Sequence, residues 1–84
     1  METSCGVVLV NFDAVLLLQY PQGHWDLPKG HVEVTDNDHL ATVRRELGEE
    51  TGITEITFIE NFVERTAYTY RHKGKRMHKQ VFWF

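Results

Sequence analysis

Apolar positions along this chain follow two rhythms. Ser4 to Val10 and Ala14 to Tyr20 are rich in β-branched and aliphatic residues, and Asn11-Phe12-Asp13 between them has turn-forming side chains at both ends. That is the pattern of a β-hairpin. Pro21-Gln22-Gly23-His24 interrupts it, and a short strand over Trp25-Asp26-Leu27 is closed by Pro28-Lys29-Gly30. From Asp36 to Thr51 the rhythm changes: no proline occurs, and Leu40, Val43 and Leu47 recur at the three- and four-residue spacing of one helical face. Asp36 or Asn37 suits the N-cap, Asp38 suits the positive end of the helix dipole, and Gly52 suits the left-handed position that closes a helix. Ile53 to Phe62 alternates again, with Ile56 and Phe58 in step, which predicts a strand; Val63 to Tyr70 continues it or forms another. Arg71-His72-Lys73-Gly74-Lys75 is a polar turn into a last strand from Met77. The order β-β-β-α-β-β-β predicts an α+β fold with a mixed sheet.

Composition narrows the class. Eighty-four residues, 42% hydrophobic and 25% charged, allow one folded domain over 1–84 and no second core. The longest apolar runs, Gly6 to Val10 and Ala14 to Leu18, are far short of the roughly 18 residues that cross a bilayer, so no membrane partner is expected. Met1 to Gly6 has no basic region ahead of an apolar run, so the expected location is cytoplasmic. Cys5 is the one cysteine, which excludes an internal disulfide and a cysteine-cluster zinc site; it reads as a small hydrophobe in a strand. Trp25 reads as a core residue. A net charge of -3 argues against general nucleic-acid binding, although Arg71 to Lys79 forms a local basic stretch. Gln80-Val81-Phe82-Trp83-Phe84 stops in mid-strand, so the domain is expected to be incomplete at its C-terminus.

The chemistry is concentrated in Arg45-Glu46-Leu47-Gly48-Glu49-Glu50-Thr51-Gly52-Ile53, where Glu46, Glu49 and Glu50 stand at i, i+3 and i+4 on one helical face. Like charges at that spacing repel by a few tenths of a kcal/mol, and negative charge in the last turns opposes the dipole. Gly48 adds about 1 kcal/mol of helix cost relative to Ala. A divalent cation converts the repulsion into ligation, since convergent hard oxygens are what Mg²⁺ or Mn²⁺ requires. The bland alternative is a solvated acidic face with surface ion pairs such as Arg45 to Glu49, each worth about 0–1 kcal/mol. His24, His39, His72 and His78 show no ligand spacing.

Together with Gly30 and an acidic region near Asp36, this stretch resembles the box of the Nudix hydrolases: Gly, five residues, Glu, seven residues, Arg-Glu, an aliphatic, any residue, Glu-Glu, any residue, Gly, an aliphatic. The second half matches at every defined position. The first half departs from it, with fourteen residues between Gly30 and Arg45 where the box has thirteen, and with Asp36 or Asn37 in place of the middle Glu. The resemblance implies an α/β/α sandwich around a mixed sheet and an enzyme that hydrolyses a phosphoanhydride. It implies Glu46, Glu49 and Glu50 as metal ligands with the backbone carbonyl of Gly30, and Mg²⁺ or Mn²⁺ as cofactor. Glu46 would also orient or deprotonate the attacking water, Arg45 would fix Glu46 by an ion pair, and Lys29 and Glu33 would support the site. A further Glu that members often use has no counterpart in this chain.

Trp25-Asp26-Leu27-Pro28-Lys29-Gly30-His31-Val32-Glu33 resembles the corresponding stretch of asymmetrical diadenosine tetraphosphate hydrolases within the same group. That implies a small nucleoside polyphosphate as partner, with Lys29, His31 and Lys79 at its phosphates and Tyr68 or Tyr70 stacking on a base. The structural reading of each tyrosine is a half-buried strand residue. Rival readings are a family member acting on a nucleoside triphosphate, ADP-ribose or an RNA 5′-triphosphate, and a nucleotide-binding module without hydrolysis.

Overall fold

The computed structural model describes residues 1–84. In chain order the elements are β1 (Glu2–Gly6), β2 (Val10–Asn11), β3 (Ala14–Val15), β4 (Leu18–Gln19), β5 (Trp25–Asp26), β6 (Lys29–His31), α1 (His39–Thr51), β7 (Glu64–His72) and β8 (Lys75–Trp83). Four of the strands form one mixed sheet in the order β6-β1-β8-β7, in which β1 and β8 are parallel and the other pairs antiparallel. No helix is long and apolar enough to cross a membrane.

The three- and four-residue spacing builds α1 as expected, and the helix buries Val43 and Leu47 to 1% exposure. These meet Cys5 and Val7, with Val32, Ile56, Phe58 and Phe82 packed around them. Full burial of a Val or Leu side chain contributes about 1.5–3 kcal/mol. Because side chains alternate along a strand, the helix covers the sheet face carrying Cys5 and Phe82, and the rows containing Glu2, Lys79 and Tyr68 point to the opposite face. Cys5 is buried in β1 as expected, and burial pushes its thiol up to about 11, which keeps it unreactive.

Several boundaries differ from expectation for identifiable reasons. The N-cap is Asp38, neither Asp36 nor Asn37: its Oδ1 accepts the Ala41 N–H at 2.8 Å. Asp36 is engaged elsewhere, as described below. Gly52 does close the helix, at φ 79° with its N–H bonded to Gly48 O at 2.9 Å. Ile53 to Phe62 is no strand. Ile56 and Phe58 are turned into the core, but the backbone joins no ladder and ends in a turn at Asn61, φ 63°; alternation there reports burial and not pairing. The first hairpin shrinks to β2 and β3 because β1 leaves it to run beside β8 and β6. The sequence Lys29-Gly30-His31, expected within a turn, is an edge strand on β1. The last turn is tighter than expected: Lys73 and Gly74 have φ 50° and 78°, the positive pair of a two-residue hairpin, so β8 starts at Lys75. Trp25 is 62% exposed and is not a core residue.

Candidate functional site

Arg45 organises the first part of the site. Its Nε and Nη2 donate to Asp36 Oδ1 and Oδ2, both at 3.0 Å, a two-pronged pairing that suits a planar guanidinium. Nη2 also donates to the carbonyl of His31 at 2.9 Å, tying α1 to β6. Nη1 reaches Glu46 Oε1 at 2.8 Å, Glu33 at 3.4 Å and Glu49 at 3.5 Å. Asp36 also accepts the Thr42 hydroxyl at 2.8 Å and the Glu33 N–H at 2.9 Å. Its bonds from Arg45, and then from Glu33, hold its carboxyl well below the usual range, while Asp36 in turn raises the pKa of Arg45. Asp36 thus supplies the acidic partner for which the sequence left Asp36 and Asn37 open.

Glu46 turns toward the sheet. A Cβ built at Gly30 would fall inside the Glu46 carboxylate, so the carboxylate can lie there only because the residue is glycine. Four residues on, Glu50 lies in a different setting. Its Oε2 accepts the Tyr20 hydroxyl at 3.1 Å, and its Oε1 is buried without a partner. Burial pushes the Glu50 pKa up, with Glu46 acting in the same direction. Burial, and then the Glu50 charge, push Tyr20 up to about 12, so it remains a proton donor. Glu49 is 60% exposed and touches Arg45 only at the 3.5 Å limit.

The three glutamates therefore share a helix but are not gathered around one point, and no group of three or more His, Cys, Asp or Glu side chains stands in metal-holding geometry. The donor set nevertheless fits a hard cation. All its atoms are oxygens, the Glu50 Oε1 is left unsatisfied where a buried carboxylate oxygen calls for a partner, and Glu49 is loosely held.

The other expected residues emerge on the sheet face away from α1. Lys29 and His31 pair with Gly6 and Ser4 of β1, and Lys79 lies between Glu2 and Tyr68. The Lys29 ammonium bonds to Asp26 and sits 5.9 Å from the centre of the Tyr20 ring and 6.0 Å from Trp83. Tyr68 is 47% exposed, with its ring 6.2 Å from that of Tyr70. The Tyr70 hydroxyl donates to Glu2, lowering the Glu2 pKa and raising its own. His31 is exposed, and it is its carbonyl that the structure uses. Glu46 beside Gly30 and Lys29 on the far face are adjacent across β6, the edge strand, so the constellation wraps around one edge of the sheet.

Sequence reasoning missed Tyr20, Asp26, Trp83 and Glu2. Asp26 was within reach of the eye, three residues before Lys29. Glu2 carried no local signal, since it meets Tyr70 across the sheet from the other end of the chain.

The profile of the NUDIX domain matches residues 2–84. Over 72 residues the chain is 44% identical to the asymmetrical bis(5′-nucleosyl)-tetraphosphatase of Mus musculus, an alignment covering 81% of this chain and 46% of that protein. The crystal structure of the C. elegans Ap4A hydrolase superposes with TM-score 0.67 at 34% identity, covering 98% of this chain and 65% of the other. That of the MutT protein from Bacillus halodurans gives 0.74 at 32%, covering 99% and 54%. With its mixed sheet, its single helix and Gly30 set against Glu46, the chain belongs to the Nudix family. It spans about half the length of the curated relatives it matches.

Proposed function

We propose that residues 1–84 form one domain of a cytosolic, Mg²⁺-dependent hydrolase that cleaves a phosphoanhydride bond of a nucleoside polyphosphate, with diadenosine tetraphosphate split into ATP and AMP. The observation that carries this reading is Glu50 Oε1, a buried carboxylate oxygen with no partner, beside a Glu46 for which Gly30 makes room. In this reading Glu46, Glu49, Glu50 and the Gly30 carbonyl hold Mg²⁺ or Mn²⁺, which supplies positive charge against the phosphate oxygens.

The chain's own residues do the rest. Arg45, braced by Asp36, fixes the Glu46 carboxylate, which orients the attacking water and accepts its proton at a carboxylate oxygen. Lys29, steadied by Asp26 and two aromatic faces, meets a phosphate, with His31 beside it on the same strand. Lys79 presents a second cation, and Tyr68, the more exposed of its pair, offers the flat surface for a base, with Tyr70 behind it.

Fold similarity by itself does not choose the substrate, since the MutT protein superposes more closely than the Ap4A hydrolase does. The choice rests on the Trp25 to Glu33 stretch and on the relatives' names. Turnover of diadenosine tetraphosphate by Glu50→Gln tests the reading: a loss of about 10³-fold or more is expected for a metal-ligating carboxylate at a hydrolytic centre. Activity within a few-fold of the parent protein removes Glu50 from the site and the reading with it. Product analysis on nucleoside triphosphates and ADP-ribose separates the other family chemistries, and EDTA is expected to abolish turnover.

A further inference from the structure

The fit of Glu50 to a cation depends on which of its two oxygens is free, and one residue outside the carboxylate row decides that. Tyr20 enters from the segment after β4 and donates its hydroxyl to Oε2 at 3.1 Å, leaving Oε1 as the buried oxygen without a partner. The tyrosine is itself fixed. Its ring stacks on His24 at 5.2 Å with 16° between planes, its backbone N–H bonds to His24 O at 2.9 Å, and the Lys29 ammonium lies 5.9 Å from the ring centre. A carboxylate on a flexible side chain loses rotamer freedom when it takes a ligand, and a hydrogen bond made beforehand removes part of that loss.

We propose that Tyr20 is a positioning residue for the cation site: its hydroxyl holds Glu50 by Oε2 and thereby presents Oε1 to the divalent ion. The inference rests on the reading of Glu50 given above and adds to it a residue outside the Glu46 to Glu50 row. The same side chain also touches Lys29, so one tyrosine links the carboxylate side of β6 to the cation on its other face.

Binding of Mn²⁺ alone to the intact protein tests this, measured by calorimetry or by the signal of free Mn²⁺. Tyr20→Phe keeps the ring, its stacking and its contact with Lys29, and removes one oxygen. The Kd for Mn²⁺ is expected to rise about tenfold, within the 10–100-fold range typical when a ligand's supporting hydrogen bond is lost. Glu50→Gln, run in parallel, separates the ligand from its support. If Glu50→Gln loses Mn²⁺ and Tyr20→Phe binds it within twofold of the parent, Tyr20 does not position Glu50 while the proposed function stands. If Glu50→Gln binds Mn²⁺ as well as the parent, both fall. A measurement on the unmutated protein covers the case in which Tyr20→Phe does not fold. With tyrosines labelled at the ring carbon bearing oxygen, the Tyr20 resonance is expected to move on addition of Mg²⁺, and an unmoved resonance at saturating Mg²⁺ overturns the inference.

Discussion

At one end of the helical carboxylate row Glu46 meets a permanent cation, with Arg45 Nη1 at 2.8 Å, whereas one turn further on Glu50 meets only the neutral hydroxyl of Tyr20 at 3.1 Å. The first end is held by charge. Arg45 is shared with Asp36, Glu33 and the His31 carbonyl, so its charge is balanced and its geometry set by the stretch from His31 to Asp36. The second end has acceptor capacity left over in a place that water does not reach freely. A fold under selection for stability alone has no reason to keep such an oxygen, because an unsatisfied buried polar group costs about 1–3 kcal/mol. The difference teaches that closeness in sequence does not give these glutamates the same surroundings. One is braced and the other is held open.

The comparison breaks first at Gly30. Gly30→Ala puts a methyl group where the Glu46 carboxylate lies, so that carboxylate must swing out of its place. Turnover is expected to fall by more than about 100-fold, because the carboxylate loses its position, while urea denaturation changes little. Full retention of turnover would mean that the Glu46 carboxylate does not need this position.

Arg45→Lys is the next largest. A lysine keeps the charge but cannot grip Asp36 with two parallel bonds while reaching Glu46, so turnover is expected to drop about 10–100-fold with modest loss of stability. Equal activity in steady-state assays would show that charge alone suffices.

Asp36→Asn sharpens the same end through pH. Arg45 and then Glu33 hold the Asp36 pKa below its ordinary value of 3.8. The bound carboxylate therefore stabilises the fold fully above that ordinary value, and the contribution is lost as the pH falls toward the lowered one. The variant is expected to be less stable than the parent at neutral pH and to approach it in acid. Melting temperatures measured from pH 7 down to pH 2 check the sign: a gap that widens in acid contradicts it.

The smallest effect belongs to Gly48, between the two ends. A Cβ there meets nothing, so Gly48→Ala is expected to stabilise the helix by about 0.5–1 kcal/mol in thermal or urea unfolding. No gain would mean that the glycine has a neighbour when the protein is loaded.

How much of this is legible in the sequence follows the range of each interaction. The helix is readable because Leu40, Val43 and Leu47 carry their period within about two turns, and the box of glutamates lies inside it. The cap is misplaced by one or two residues because Asp36, Asn37 and Asp38 are equivalent by composition, and what distinguishes them is Arg45, nine positions from Asp36. The segment Ile53 to Phe62 misleads because alternation measures which side chains are buried, while pairing depends on whether a free strand edge lies alongside. Lys29 and Lys79 are recognisable as cations, but their common face is not visible, since it depends on β8 being inserted beside β1. Tyr20 escapes notice because nothing in Leu18-Gln19-Tyr20-Pro21 announces a carboxylate thirty residues on.

The parallel ladder of β1 and β8 has a consequence for how the molecule forms. Thr3 is paired with Gln80 and Gly6 with Trp83, so the middle of the sheet is stitched from strands 77 positions apart. The β7–β8 hairpin is local and can zip early, but β1 must await it, and such remote closure slows folding. A nascent chain emerging from the ribosome would hold β1 in reserve until β8 arrives, leaving that strand's apolar side open to chaperones in the interval.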